Sequence, residues 1–312
     1  LSEGGLSFRG VQDLSPVLLR CSNGGVASGE ELLGVADTLS AARRLRRQID
    51  DPELRPVCTA LIATMATLPD LEQRLKFALE EGGRVADRAS PALAGLRQQW
   101  QRLRQERRDK LQELLRRLGS ALQDTVIAQR HGRPVLAVKA GAVGQVPGQV
   151  HDSSASGSTL FVEPRSVLTM GNRLVELESR IRDEERKVLA ELSAAVAEEH
   201  DPLAVVVQVL LQLDLALARG RYGRWLGGSI PQVETSTDAR FRFQGLRHPL
   251  LIWQQKKAGG PIVVPISVEV SSDLRVVAIT GPNTGGKTVT LKSIGLAALM
   301  ARAGVLLPCA GL

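Results

Sequence analysis

Hydrophobic positions recur with helical spacing over much of this chain. Ser28-Gly29-Glu30-Glu31 opens one helix, with Leu32, Leu33, Ala36, Leu39 and Ala42 on one side as far as about Arg47. Residues before 30 are rich in Gly and Ser and read as an entry segment. One or two further helices span roughly 52–80. A longer helix starts after Ser90-Pro91, a capping serine followed by proline at the first helical position. Leu96, Trp100, Leu103, Leu111, Leu114, Leu118 and Leu122 carry its apolar face toward about Arg130, with Gly119 as a possible break. The pattern then changes. Residues 135–139, 148–151 and 159–162 read as short strands separated by glycines, a β insertion over 131–165. Helical spacing resumes from about Arg165 to Glu199, coiled-coil-like, and again from Leu203 to Trp225 after Asp201-Pro202. Helix length favours an arm bearing a β element over an ordinary helical domain with a hairpin.

Beyond Gly227-Gly228 the pattern turns to strands. Phe241 and Phe243 alternate with Arg240 and Arg242, and residues 262–270 and 274–280 read as further strands. Val289 to Ala303 reads as a helix stopped by Gly304, and Val305-Leu306-Leu307 as the start of another strand. The fold class expected is multidomain α and α/β. Residues 1–95 form a helical core, 96–226 lever helices with the β insertion, and 227–312 the first part of a P-loop ATPase domain.

Composition narrows the function classes. Apolar residues make up 43% and charged residues 23%, as in globular proteins. With three Trp, one Tyr and five Phe, the cores must rest on aliphatic side chains. The net charge of +7 and pI near 9.8 are compatible with a polyanionic partner and equally with ordinary solvated faces. Arg102, Arg104, Arg107, Arg108 and Lys110 concentrate that charge on the long helix and are its candidate nucleic-acid contacts; Arg43, Arg44, Arg46 and Arg47 form a second cluster. Cys21, Cys58 and Cys309 are scattered, as are the four histidines, so we expect a reducing cytoplasm, no disulfide framework and no metal-ligand set. No apolar run is expected to reach the length of a membrane span, and no membrane partner is expected. The sequence starts at Leu1 and stops in mid-pattern, so it reads as a piece of a longer chain.

One motif carries chemistry. Gly281-Pro282-Asn283-Thr284-Gly285-Gly286-Lys287-Thr288 fits G-x-x-x-x-G-K-[ST], between an apolar run and a helical pattern. Glycines let backbone wrap phosphate oxygens, and the helix N-terminus adds a positive pole. Lys287 should reach the β- and γ-phosphates of ATP, and the Thr288 hydroxyl should ligate Mg²⁺. A tight strand-to-helix turn without ligand is the alternative. Phosphoryl transfer also needs a metal-holding acid and a group that orients water. No Asp or Glu follows Thr288, so these 312 residues are expected to bind ATP without hydrolysing it.

The run from Ile279 to Lys292 (ITGPNTGGKTVTLK) resembles the P-loop of the MutS-two family, paralogues of the mismatch-repair ATPase MutS. The segment from His151 to Pro164 (HDSSASGSTLFVEP) and Arg247-His248-Pro249-Leu250-Leu251 resemble the same family, so the likeness covers essentially the whole chain. Thr284 and Thr288 stand where MutS proper usually has Met and Ser. The resemblance implies a helical core, levers, a clamp and an ABC-type ATPase domain that dimerises. It also implies a terminal Smr endonuclease domain beyond these residues, binding of branched DNA, suppression of recombination, and action on collided ribosomes and their rRNA. It places His248 near the nucleotide, although a structural histidine fits as well. Where MutS proteins often stack an aromatic on adenine, this chain has Pro261-Ile262-Val263-Val264. The Ser153 to Thr159 loop reads as a phosphate contact or a hairpin that fixes the lever. A clamp without enzymatic activity is the competing function. An SMC-like or RecN-like protein is disfavoured, because those place the P-loop before the coiled coil.

Overall fold

A computed structural model describes residues 6–49, 51–233, 240–282 and 286–310. They divide into two compact units, one of residues 7–49 and 63–207, the other of residue 6 with residues 51–62 and 208–310.

The first unit has a helical core and a sheet. α1 (Ser15–Ser22), α2 (Gly29–Ile49), α4 (Pro69–Ala78) and α6 (Arg165–Glu198) meet around Leu14, Leu32, Val35, Leu75, Leu192 and Val196, all buried. α3 (Pro56–Ala63) precedes α4 in the chain and, up to Ile62, belongs to the second unit. α1 was missed in the Gly- and Ser-rich entry; Pro at its first turn and buried Val17, Leu18 and Cys21 account for it. α5 (Pro91–Arg117) runs antiparallel to α6, and polar contacts cross between them. Ser90 Oγ accepts from Leu93 N at 3.4 Å and donates to Glu184 Oε1 at 2.7 Å. Arg97 Nη2 reaches Glu185 at 2.6 Å, and Trp100 Nε1 donates to Glu178 at 3.1 Å.

The long helix ends at Arg117, and not near Arg130. After a 3₁₀ turn at Gly119–Ala121 the chain becomes β1 (Leu122–Arg130), which pairs antiparallel with β2 (Arg133–Lys139). The two-residue turn His131-Gly132 has φ of +50° and +76°, the left-handed pair that suits a tight hairpin. The leucine spacing that extends through Leu122 favours a helix, but the ladder to β2 wins because it also buries Leu122 and Leu136. With β3 (Gly148–Ser153) and β4 (Thr159–Pro164) the sheet has the order β1-β2-β4-β3, antiparallel throughout. The end of α5 and the start of α6 pack on it through Leu111, Leu114 and Val167 against Leu136, Val138 and Val162.

α7 (His200–Leu226) starts three residues before the expected Leu203 and passes from the first unit into the second. Contrary to the sequence expectation, it is long and apolar enough by composition to cross a bilayer, with 27 residues and a mean hydropathy of 1.6 over its best window. Buried Leu203, Val206, Leu210, Leu213 and Leu217 recur on one face, and Asp201, Asp214, Arg219 and Arg224 lie along the same helix. Packing covers only part of that apolar surface: Val205, Leu211 and Leu215 are exposed, and 28% of the window is buried.

The second unit packs β5 (Phe241–Leu246), α8 (Pro249–Ala258), β6 (Ile266–Val270) and α9 (Lys287–Arg302) around Leu226, Leu246, Ile252, Ala297, Met300 and Leu307. β5 and β6 form an antiparallel pair. Two expectations fail here. The strand expected over 262–270 is confined to Ile266–Val270, and 274–280 has no regular secondary structure and pairs with no strand among the described residues. Leu274, Val276 and Val277 stay exposed. An apolar run becomes a strand only when a second backbone satisfies its N–H and C=O groups. The strand expected at 305–307 is reduced to one antiparallel bridge, Leu307 to Ser229. α9 starts two residues before the expected Val289 and ends at Arg302, one before the expected Ala303; the φ of +68° at Gly304 lets Val305 N donate to Met300 O at 2.9 Å.

Candidate nucleotide site and basic helix

The loop before α9 has two glycines in backbone conformations that other residues resist. Gly281 has φ of +142° and Gly286 of +75°, and a Cβ added at either would meet no atom of the described residues within 4 Å. Asn283, Thr284 and Gly285, expected in the phosphate loop, lie outside the described residues; Pro282 lies beside Gly281 at its start. Gly286 is the N-cap of α9, and among the described residues no side chain caps it. The helix therefore presents its positive end at the loop, with Lys287 and Thr288 as its first residues. The Lys287 ammonium donates to the Gly281 carbonyl. Thr288 is exposed. An open helix N-terminus, an ammonium and a hydroxyl within one turn are a donor set that fits a phosphate chain and its divalent cation.

His248 caps α8: its Nδ1 accepts from Leu250 N at 3.2 Å. Burial, and then the charge of Lys292 on α9, hold its imidazole below the usual histidine range. Of its two expected roles, the structure shows the structural one. In the stretch expected near adenine, Ile262 and Val264 are exposed and Val263 is buried.

The five basic candidates on α5 separate in space. Trp100, Arg104, Arg107 and Arg108 line one concavity, closed on the sheet side by Ile127 of β1 and Pro134 of β2. The Arg104 guanidinium lies over the Trp100 ring, 5.0 Å from its centroid. Arg107 is half-buried. Burial lowers its pKa, Glu163 opposes that shift, and Arg104 and Arg133 add to it. Arg102 is exposed on the opposite face, since a two-residue step turns a helix by about 200°. Lys110 is tied to Glu113 at 2.8 Å. The hydroxyls of the Ser153 to Thr159 loop bond within it: Ser154 Oγ accepts from Thr159 N at 3.1 Å, and Ser156 and Ser158 are 2.8 Å apart.

Sequence reasoning gave no role to Glu163. Its carboxylate is fully buried on β4, 3.2 Å from Arg133 Nη1 and 2.8 Å from His151 Nε2. The available signal was an acid on a strand between Val162 and Pro164, with Arg and His on adjacent strands.

No family model matches the chain. It is 47% identical over 98% of its length to an Endonuclease MutS2 of Synechocystis sp., of which it spans 37%. It is 41% identical over 99% of its length to an Endonuclease MutS2 of Symbiobacterium thermophilum, spanning 38% of that protein. A third relative of that name, from Geobacillus kaustophilus, is 40% identical over 98% of the chain, which spans 39% of it. The chain thus spans less than two-fifths of the length of these curated relatives.

Proposed function

This chain belongs to the MutS2 family, and on that premise we propose that it is an ATP-holding, nucleic-acid-handling segment of a MutS-type ATPase. The observation that carries the nucleotide reading is α9, which starts at Lys287 directly after a left-handed Gly286 inside the sequence GPNTGGKT. In this reading the backbone amides at the head of α9 bind phosphate oxygens. Lys287 exchanges its bond to the Gly281 carbonyl for the β- and γ-phosphates, and Thr288 holds Mg²⁺. The metal would neutralise phosphate charge.

Residues 289–312 contain no carboxylate to share that metal, so the 312-residue chain is proposed to hold ATP without turning it over. In the wider protein, the proposed partners are nucleic acid, as branched DNA or as ribosome and rRNA, and a second copy. The endonuclease function in the relatives' names is a proposal for the wider protein.

Calorimetric titration of ATP with Mg²⁺ into the chain and into Lys287→Ala tests the site. Binding weakened at least about tenfold in the variant, about 1.4 kcal/mol, is expected. Equal binding by both would sink the nucleotide reading and leave a clamp that does not use ATP. Mg²⁺-dependent phosphate release that co-purifies with the chain would overturn the claim of no turnover.

A further inference from the structure

The concavity between α5 and the β1–β2 hairpin has two unlike walls. Its helix wall carries Trp100, Arg104, Arg107 and Arg108, and its sheet wall is apolar, with Ile127 and Pro134. Among the described residues neither Arg104 nor Arg108 has a carboxylate partner. The acid that Arg107 feels most, Glu163, is already bonded by Arg133 and His151. Arg104, Arg107 and Arg108 thus line one space, and the two acids that act on Arg107, Glu163 and Glu178, are bonded by other side chains. Trp100 is fixed in orientation by its bond to Glu178.

We propose that this groove binds a single strand of nucleic acid, with its phosphates on Arg104 and Arg108 and its bases against Trp100, Ile127 and Pro134. The inference rests on the nucleic-acid reading above and assigns it to one surface and one form of substrate. Arg104 and Arg108 are four residues apart, about 6 Å along one helical face, so two phosphates of one strand can be held in succession. Arginine forks match phosphate oxygens, and an aromatic and apolar wall accepts bases of any sequence. An acidic peptide offers the charge without flat rings for that wall. A duplex is read by a protruding helix or ribbon that enters its groove. A recess of about 490 Å³ is the inverse shape, suited to splayed bases.

The test is fluorescence anisotropy at several salt concentrations, with labelled oligothymidine, a labelled duplex and a labelled oligoglutamate peptide. The chain is compared with Arg104→Gln/Arg108→Gln, with Arg104→Lys/Arg108→Lys, and with Arg116→Gln/Arg117→Gln outside the groove. Circular dichroism melts establish that each variant folds. We expect oligothymidine to bind tightest. The Gln pair should lose about tenfold in affinity and its salt slope should flatten by about 1.4, two phosphates' worth for a single strand. The Lys pair should recover part of the affinity, and the outer pair should stay near wild type. Wild-type binding that is unchanged in the Gln pair overturns the groove and leaves the wider reading standing. Preference for duplex or for oligoglutamate also overturns the groove. No binding of either nucleic acid by the wild-type chain removes both readings.

Discussion

His151 Nε2 lies 2.8 Å from Oε2 of Glu163, a carboxylate with no exposed surface. Arg133 approaches the same oxygen at 3.2 Å and also donates to Asn172 on α6 at 3.2 Å. Gly171 lets α6 pass close by, since a Cβ there would come within 3.3 Å of Glu163 Oε1. One buried acid therefore links β2, β3 and β4. We expect Glu163→Leu to destabilise the chain by about 2 kcal/mol, less than for a pair buried on both sides because Arg133 is part-exposed. Adding Arg133→Leu should recover part of that loss, measured as urea midpoints in a double-mutant cycle. An unchanged midpoint in the single variant would show the network to be inert.

Two glycines at the head of α2 make a contact with no slack. A Cβ on Gly29 would lie 1.8 Å from the Gly83 carbonyl oxygen, and one on Gly83 would lie 2.2 Å from Glu30 N. Gly29→Ala should therefore cost about 2 kcal/mol by overpacking against backbone. Gly95 sits inside α5 with nothing within 4 Å of an added Cβ. Gly95→Ala should gain up to about 1 kcal/mol from helix propensity. Thermal melts that moved in the same direction for both substitutions would contradict this account.

Glu72 is buried between Lys76 at 2.8 Å and Arg43 at 2.9 Å. Burial raises its pKa, but the hydrogen bonds and charges of Lys76 and Arg43 outweigh it, so the carboxyl stays below its ordinary 4.5. A carboxyl depressed in the folded state adds stability that is complete above its unfolded pKa. That stability is lost as pH falls through the folded one. Urea midpoints of wild type should drop more steeply on acidification below about pH 4.5 than those of Glu72→Gln. Parallel acid limbs would remove Glu72 as a contributor.

The cap on α8 needs an unprotonated Nδ1. Burial, then Lys292, favour the neutral ring of His248, so its folded pKa lies below its unfolded value of 6.5. Its contribution is present above that value and lost as pH falls through the folded pKa. Proton NMR should show His248 titrating below the free imidazole, and Lys292→Gln should raise its pKa. His248→Ala should cost about 1 kcal/mol, and His248→Asn, which can still cap, much less. A His248 that titrates at the free-imidazole value would refute the argument.

Elements closed by local bonds could be read from residue types. The start of α5 was legible in Ser90-Pro91, most of α9 in the pattern from Val289 to its stop before Gly304, and α6 in its three-and-four spacing, because a helix satisfies each backbone group within four residues. β1 and the 274–280 segment were misread in opposite directions. Residues 122–130 continue a leucine spacing yet pair with β2, and 274–280 has the composition of a strand yet finds no partner among the described residues. A strand depends on a backbone elsewhere in the chain, which composition does not specify.

The candidate sites divide in the same way. Residue types alone determined the phosphate-loop pattern at 281–288, its kinship, and a surplus of arginine on α5. Only the tertiary structure decided that Arg104, Arg107 and Arg108 share a groove with Trp100, that Lys110 is held by Glu113, and that His248 caps a helix. The physical reason is that a cation's availability depends on which carboxylate comes within reach. For Arg107 that is Glu163, 56 positions further along the chain and already held by two other side chains.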